Sequence, residues 1–232
     1  MKLIKHLTLS LLAIGCAMPA LAATANKPNI VFIMADDVGI GDISALHRQY
    51  TDKPVVVETP TIDSLAAQGM SFTDAHSPTA LCAPTRYSVM SGNSTYRGYA
   101  KWGVWSTFAK TAVTQEDATI GRVAKQAGYT TGFVGKWHLG GTFLDKNGNM
   151  YKGAKGGPKS KNVDLTKWVA GNPKELGFDY DFTAPTGVQG PTYSLHENGQ
   201  WYKFDKDSKL IYVDQHSALD KSFVSDKGPW HG

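Results

Sequence analysis

The sequence predicts an α/β fold in which a mixed, mainly parallel sheet is flanked by helices. Two apolar runs rich in β-branched residues, 29–35 and 129–135, have the composition of buried parallel strands. Helical patterns lie between them, at 59–70 and at 120–126, and each ends close to a glycine. This alternation of strand and helix is typical of a parallel sheet with helices on its faces.

The other segments are assigned from their local composition. Residues 77–84 read as a loop, and Pro84 suits the first turn of a helix that continues over 86–90. The Gly- and Lys-rich stretch 144–161 lacks periodicity and is expected to be an exposed insertion. The remainder suggests short strands, with Asn198-Gly199 as a hairpin turn.

Composition excludes some classes of function. The chain has 232 residues, 41% of them hydrophobic, so one globular domain is expected. The formal net charge is +4, and Lys2 and Lys5 supply two of these charges in a segment that is expected to be removed. The small remaining charge does not indicate a nucleic-acid partner.

The first 22 residues have the features of a signal peptide. Lys2 and Lys5 precede an apolar stretch, and Ala20-Leu21-Ala22 supplies the small residues of a cleavage site. The apolar stretch is too short for an integral membrane span. Lipid attachment at Cys16 is an alternative, although Ala13 is a poor residue three positions before such a cysteine. We therefore expect export to the periplasm or beyond, with the mature domain at 27–232.

Removal of Cys16 would leave Cys82 as the only cysteine of the mature chain, which excludes an internal disulfide. An unpaired cysteine in an exported protein is a liability unless it is buried or chemically converted. Cys82 starts the segment Cys-Ala-Pro-Thr-Arg, in which Arg86 adds a charged donor. From these residues alone, an inert buried thiol beside a helix-starting proline is as good an interpretation as a reactive site.

This segment resembles the Cys-x-Pro-x-Arg signature of the type I sulfatases, although Thr85 stands where serine is frequent. The resemblance implies that a maturation enzyme oxidises Cys82 to formylglycine, an aldehyde that hydrates to a diol. One hydroxyl of the diol would attack sulfur, and the other would later expel sulfate by re-forming the aldehyde. Arg86 would be a second catalytic residue.

Two further motifs carry the resemblance. Asp36-Asp37 follows the first predicted strand and resembles the first metal-binding pair of that family, although alone the pair could be a helix cap or a solvated turn. Carboxylate oxygens suit Ca²⁺, with Mg²⁺ as the alternative, and the diol derived from Cys82 would be a further ligand. Residues 135–140, Gly-Lys-Trp-His-Leu-Gly, match the family block in which Lys136 and His138 are catalytic and bind the sulfate.

The three motifs occur in the family's order, and the resemblance extends from about Lys27 to about Phe182. It implies an alkaline-phosphatase-like fold and the hydrolysis of sulfate esters of a small molecule or, for an exported protein, a glycan. A phosphate or phosphonate ester hydrolase of the same superfamily is the nearest alternative. A binding protein that has lost its chemistry is another.

Some residues of the family pattern have no counterpart in this sequence. We find no second metal-binding pair, no later catalytic histidine and no second lysine. His196, His216 and His231 lack the expected flanking residues and are interpreted as surface or loop residues, and 225–228 only superficially resembles a metal-binding segment. The chain is therefore expected to be an incomplete catalytic domain that is weakly active or inactive alone.

Overall fold

The computed structural model describes residues 27–98, 103–151, 162–186 and 193–210. The predicted signal peptide, Cys16, His216, His231 and segment 225–228 lie outside these residues. The chain divides into two compact units, Met1–Gln68 and Gly69–Gly232. No helix among the described residues is long and apolar enough to cross a membrane.

In the described part of the first unit there are two α-helices, α1 at Ser44–Tyr50 and α2 at Pro60–Gln68. The prediction of α2 is confirmed. The prediction of a buried strand at 29–35 is wrong, because this segment forms no strand and is exposed, with 81% of Val31 accessible to solvent. The physical reason is that a strand exists only through its neighbours, and residues 27–68 contain no other strand to pair with it.

A hydrogen-bonded network joins the two helices of this unit. Asp63 of α2 accepts hydrogen bonds from the Ser44 hydroxyl at 2.6 Å and from the Ala45 main-chain N–H at 3.0 Å. The Thr59 hydroxyl also donates to Asp63, and the Arg48 guanidinium lies 3.2 Å from it. These donors, the Ser44 hydroxyl first among them, lower the pKa of the Asp63 carboxyl, so the carboxylate form is favoured.

The second unit contains helices α3 at Cys82–Ser91 and α4 at Ile120–Gln126, and a four-stranded mixed sheet. Its strands are β1 at Gly132–Lys136, β4 at Tyr180–Ala184, β5 at His196–Glu197 and β6 at Gln200–Trp201, in the order β1-β4-β5-β6. The β1–β4 pair is parallel, and the other two pairs are antiparallel. Among the described residues the sheet is therefore mixed, as predicted, with one parallel and two antiparallel pairs.

Strand β1 is placed differently from its prediction. The apolar run at 129–135 was expected to be buried, but β1 is an edge strand and 72% of Val134 is exposed. Helix α4 has the predicted bounds, and Gly128 follows it with a φ of 81°. Periodicity located the helix well, whereas the burial of a strand depends on what lies on both of its sides.

A second, two-stranded sheet pairs β2 at Thr142–Asp145 with β3 at Val163–Ala170 in antiparallel fashion. Residues 144 and 145 were predicted to begin an exposed insertion, and this is wrong because both belong to β2. The predicted turn at Asn198-Gly199 is confirmed, since it joins β5 to β6 with positive φ at both residues.

The core of the second unit is aromatic. Phe143 of β2 stacks on Trp168 of β3 with ring centroids 5.4 Å apart, and Phe108 packs edge-on against Phe143 at 5.5 Å. His196 of β5 packs edge-on against Trp168 at 5.4 Å and is fully buried. The interpretation of His196 as a surface or loop residue is therefore wrong, because strand pairing places its side chain inside this aromatic cluster.

Candidate active site

Helix α3 begins at Cys82 itself. Leu81 is the N-cap, with extended backbone dihedrals, and Cys82, Ala83 and Pro84 form the first turn. The loop is predicted to extend to Pro84, but it ends one turn earlier, at Leu81. Pro84 belongs to the helix because proline lacks an N–H and its fixed φ fits a first helical turn. Cys82 is a free, partly buried cysteine. Arg86 is four residues further along the helix and so lies on the same face.

Arg86 connects helix α3 to the end of β1. Its Nη1 donates a hydrogen bond of 2.7 Å to the main-chain carbonyl of Lys136. The two residues are 50 positions apart in the chain, so this contact unites two separate motifs of the sequence. The carboxyl end of a strand and the start of a helix meet here, and these are the places where α/β proteins bind anions.

Lys136 and His138 are carried by the end of β1 and the residues that follow it. The hydrogen bonding between β1 and β4 continues past the strands, since Trp137 donates its N–H to Ala184 at 2.8 Å and His138 donates to Pro185 at 3.1 Å. His138 has a left-handed backbone with a φ of 56°, which is rare for a residue with a β-carbon. The backbone contacts on both sides hold this conformation in place.

The indole of Trp137 fixes the turn that contains His138. Trp137 is 1% exposed, and its Nε1 donates to the carbonyls of Gly171 at 3.0 Å and Gly140 at 3.2 Å. Its ring also packs edge-on against Phe133 of β1, with centroids 5.2 Å apart. One buried side chain therefore ties the two ends of the turn to the protein interior.

The ring of His138 is held by a neighbouring loop. Its Nε2 lies 3.1 Å from the main-chain carbonyl oxygen of Trp105. Trp105 is buried and packs edge-on against Tyr87 of α3, with ring centroids 5.8 Å apart. The helix that begins at Cys82 thus contacts the segment that contacts His138.

Asp36 and Asp37 belong to the first unit, where both are exposed. Asp37 has a left-handed backbone with a φ of 60°. Their chemistry fits a hard divalent cation, because carboxylate oxygens are its preferred ligands. The described residues contain no group of three or more acidic, histidine or cysteine side chains arranged to hold a metal.

Comparison with known proteins identifies the family. The sequence model of the family described as Sulfatase matches residues 28–225. The chain belongs to the sulfatase family. This chain is 33% identical over 195 residues to an N-acetylgalactosamine-6-O-sulfatase of Bacteroides thetaiotaomicron. It is 37% identical over 141 residues to human arylsulfatase A.

These alignments cover much of this chain but only a small part of each relative. They span 84% of this chain and 34% of the Bacteroides enzyme, and 59% of this chain and 26% of arylsulfatase A. A solved Bacteroides thetaiotaomicron structure, from work on the metabolism of multiple glycosaminoglycans, superposes with a TM-score of 0.60 at 35% identity. It covers 77% of this chain and 32% of that one, and it confirms the predicted fold class.

The sequence motifs predicted a set of site residues but not the residues that hold them. The structure adds Tyr87, Trp105 and Trp137, all buried, of which only Trp137 lies between two predicted site residues. The aromatic character of Tyr87 and Trp105 was visible in the sequence, but an aromatic residue in a helix or loop is usually part of a core. Only the fold brings them to His138.

Proposed function

We propose that the protein to which this chain belongs hydrolyses sulfate esters, with a formylglycine made from Cys82 as the nucleophile. The hydrogen bond from Arg86 to the carbonyl of Lys136 carries the proposal, because it brings the helix that begins at Cys82 to the strand end that bears Lys136 and His138. The membership of the chain in the sulfatase family, and the names of its relatives, support the reaction type.

The start of α3 is suited to an anion. The first main-chain N–H groups of a helix have no partner within the helix, and the helix dipole favours negative charge there. In α3 these donors are the N–H groups around Cys82 and Ala83, since Pro84 has none. Arg86 adds a cationic side chain on the same face. A sulfate group at Cys82 would therefore meet favourable charge on the helix side.

Lys136 and His138 would act from the strand side. We assign to the Lys136 ammonium the binding of a sulfate oxygen, which offsets negative charge that develops in the transition state. We assign to His138 the exchange of a proton with the nucleophile, because an imidazole gains and loses protons near neutral pH. The backbone contacts of β1 with β4 fix the main chain that carries both side chains.

We propose that Asp36 and Asp37 contribute to a site for Ca²⁺ or Mg²⁺. A bound cation at such a site polarises the sulfate oxygens and offsets their charge. The exposure of both carboxylates supports this assignment, since a cation can approach them from solvent.

The proposed substrate is a sulfated carbohydrate. This follows from the expected export of the chain by its first 22 residues, with 27–232 as the mature catalytic region, and from its similarity to an N-acetylgalactosamine-6-O-sulfatase. The similarity to arylsulfatase A supports the use of an aryl sulfate as an assay substrate. A formylglycine-generating enzyme would be the partner required for maturation.

The first test is mass spectrometry of the tryptic peptide that contains Cys82, which spans 49–86 because trypsin does not cleave before Pro54. After production with a maturation enzyme, we expect the thiol to be replaced by an aldehyde or its hydrate. Intact cysteine alone would overturn the assignment of the nucleophile.

The second test is hydrolysis of nitrophenyl sulfate and nitrophenyl phosphate by the full-length product of the reading frame that contains this sequence. We expect sulfate to be the better substrate and Cys82→Ala to abolish its turnover. Preference for the phosphate would support a phosphatase of the same superfamily. Absence of turnover of both substrates by a protein with a converted Cys82 would overturn the enzyme proposal.

A further inference from the structure

We infer that Trp105 is a positioning residue for His138. Its main-chain carbonyl holds the neutral imidazole in the tautomer that carries hydrogen on Nε2, which makes Nδ1 the atom that exchanges a proton. The inference deepens the proposed function and rests on it, since it assigns one atom to the role of His138. Its geometric part can be tested without any enzymatic turnover.

The tautomer follows from the partner of the ring. Nε2 of His138 lies 3.1 Å from the carbonyl oxygen of Trp105, within hydrogen-bond range. A carbonyl oxygen accepts hydrogen bonds and cannot donate one, so the hydrogen must be on Nε2. In a neutral imidazole the other nitrogen, Nδ1, then carries the lone pair. A proton taken up by His138 therefore binds at Nδ1.

Nδ1 of His138 is buried, so bulk water does not compete for its lone pair. The backbone of His138 is fixed by its N–H bond to Pro185 and by the two bonds that the Trp137 indole makes across the turn. With the backbone fixed, the contact to Trp105 sets the direction of the ring.

The carbonyl of Trp105 is itself held by helix α3. The Trp105 indole is buried and meets the Tyr87 ring nearly perpendicularly, at 80°, with centroids 5.8 Å apart. Tyr87 follows Arg86 directly in α3 and is also buried. The helix that presents Cys82 and Arg86 therefore also positions His138, through Tyr87 and then Trp105. The nucleophile and its proton acceptor depend on one helix for their placement.

The tautomer can be read directly in the 232-residue chain labelled with ¹⁵N-histidine. Long-range ¹H–¹⁵N correlations show which ring nitrogen of a neutral histidine is protonated, and the spectrum of a His138→Gln variant identifies the resonances of His138 among the seven histidines. We expect His138 to give the Nε2–H pattern. A pattern with hydrogen on Nδ1 would overturn the inference, whatever the Tyr87 variants show.

The role of Tyr87 is tested by a matched set of variants. Tyr87→Phe keeps the ring that contacts Trp105, and we expect it to keep the Nε2–H pattern. Tyr87→Ala removes the ring, and we expect the single pattern to be lost in favour of averaged resonances of the two tautomers. The control is Tyr151→Ala, which removes a ring packed edge-on at 5.0 Å against Phe108 of the same loop, and it should leave His138 unchanged.

An unchanged His138 pattern in a folded Tyr87→Ala chain would overturn the role of Tyr87. A change of equal size in Tyr151→Ala would show general loosening of the loop and would also overturn it. Failure of the proposed function has a different signature. The Nε2–H pattern would then be present, whereas a full-length protein with a converted Cys82 would not hydrolyse sulfate esters.

Discussion

Thr119 shows at the scale of one residue how a buried hydroxyl joins two segments. It is the N-cap of α4 and accepts a hydrogen bond from the N–H of Arg122 at 3.1 Å. The same hydroxyl donates to the carbonyl of Leu176, and the residue is fully buried. Its removal would therefore leave both a helix donor and a buried carbonyl without this partner.

We expect Thr119→Ala to lower the free energy of unfolding of the second unit by about 2 kcal/mol or more. About 1 kcal/mol is typical for loss of an N-cap, and an unsatisfied buried carbonyl adds about 1–3 kcal/mol. Urea denaturation followed by tryptophan fluorescence would measure the change. Thr119→Ser keeps the hydroxyl and should lower the unfolding free energy much less. Equal decreases in the two variants would contradict the role of the hydroxyl.

His196 links the stability of the second unit to pH. Its Nε2 donates to the carbonyl of Leu165 at 2.8 Å, and its buried Nδ1 has no hydrogen-bond partner among the described residues. Burial lowers the pKa of the His196 imidazole below its usual 6.5, and the bond to the Leu165 carbonyl opposes this only in part. The folded chain therefore keeps His196 neutral at a pH where the unfolded chain already binds a proton.

The pKa of His196 is lower in the folded chain than in the unfolded chain. Its contribution to the unfolding free energy is therefore complete above the pKa of the unfolded chain, and it is lost as the pH falls towards the pKa of the folded chain. We expect the unfolding free energy to fall between about pH 7.5 and about pH 5.5, by at most about 1.4 kcal/mol per pH unit. Subtracting the stability of His196→Gln isolates this dependence from Asp181, whose raised pKa acts in the opposite direction. A difference that does not change with pH would contradict the prediction.

Sequence reasoning at this scale found the residues with reactive groups and missed those that hold them. Cys82 and Arg86 stand in a short pattern with fixed spacing, and the structure places them on one helical face. The burial of His196 could not be predicted, because it depends on strand pairing with residues far away in the chain. The sequence shows directly which reactive group a side chain carries, whereas its neighbours in the fold come from other parts of the chain.

At the scale of elements, Gly140, the last residue of the 135–140 block, is required by space as well as by conformation. Gly140 has a φ of 78°, and a β-carbon there would lie 2.7 Å from the carbonyl oxygen of Ala109 and 2.8 Å from that of Lys110. Gly148 has a similar φ of 82°, but no atom lies within 4 Å of the corresponding position. The two glycines therefore separate the cost of conformation from that of crowding.

We expect Gly148→Ala to destabilise the chain by about 1–2 kcal/mol, which is the cost of a left-handed alanine. Gly140→Ala should cost about 1–3 kcal/mol more, because two backbone oxygens must move. Thermal unfolding of the two variants in parallel would measure the difference. Equal costs would show that the backbone around Gly140 yields easily, contrary to the fixed turn described around His138.

Helices were predictable from the sequence to a greater extent than strands. The bounds of α4 agree with its periodic pattern, and α2 lies within the predicted segment. The segment 29–35 has the composition of a strand but no strand to pair with in its unit, and β1 is exposed rather than buried. Helices satisfy their own backbone hydrogen bonds, whereas strands depend on distant segments.

At the scale of the whole molecule, the order of the three motifs predicted the family, and the matched region 28–225 confirms it. The chain spans about a third of the length of the Bacteroides relative. In the proposed cation site, Asp36 and Asp37 would supply at most four carboxylate oxygens. Ca²⁺ prefers about 6–8 oxygen ligands, so this set would leave the coordination shell incomplete.

We therefore expect the 232-residue chain, tested alone, to be weakly active or inactive even after Cys82 has been converted. The physical reason is that the cation would be held weakly and the charge on the sulfate only partly offset. The measurement is hydrolysis of nitrophenyl sulfate in the presence of Ca²⁺, with conversion of Cys82 verified by mass spectrometry and with Cys82→Ala as the matched control. Turnover well above that of Cys82→Ala would contradict this expectation, because it would mean that the residues of this chain form a working site alone.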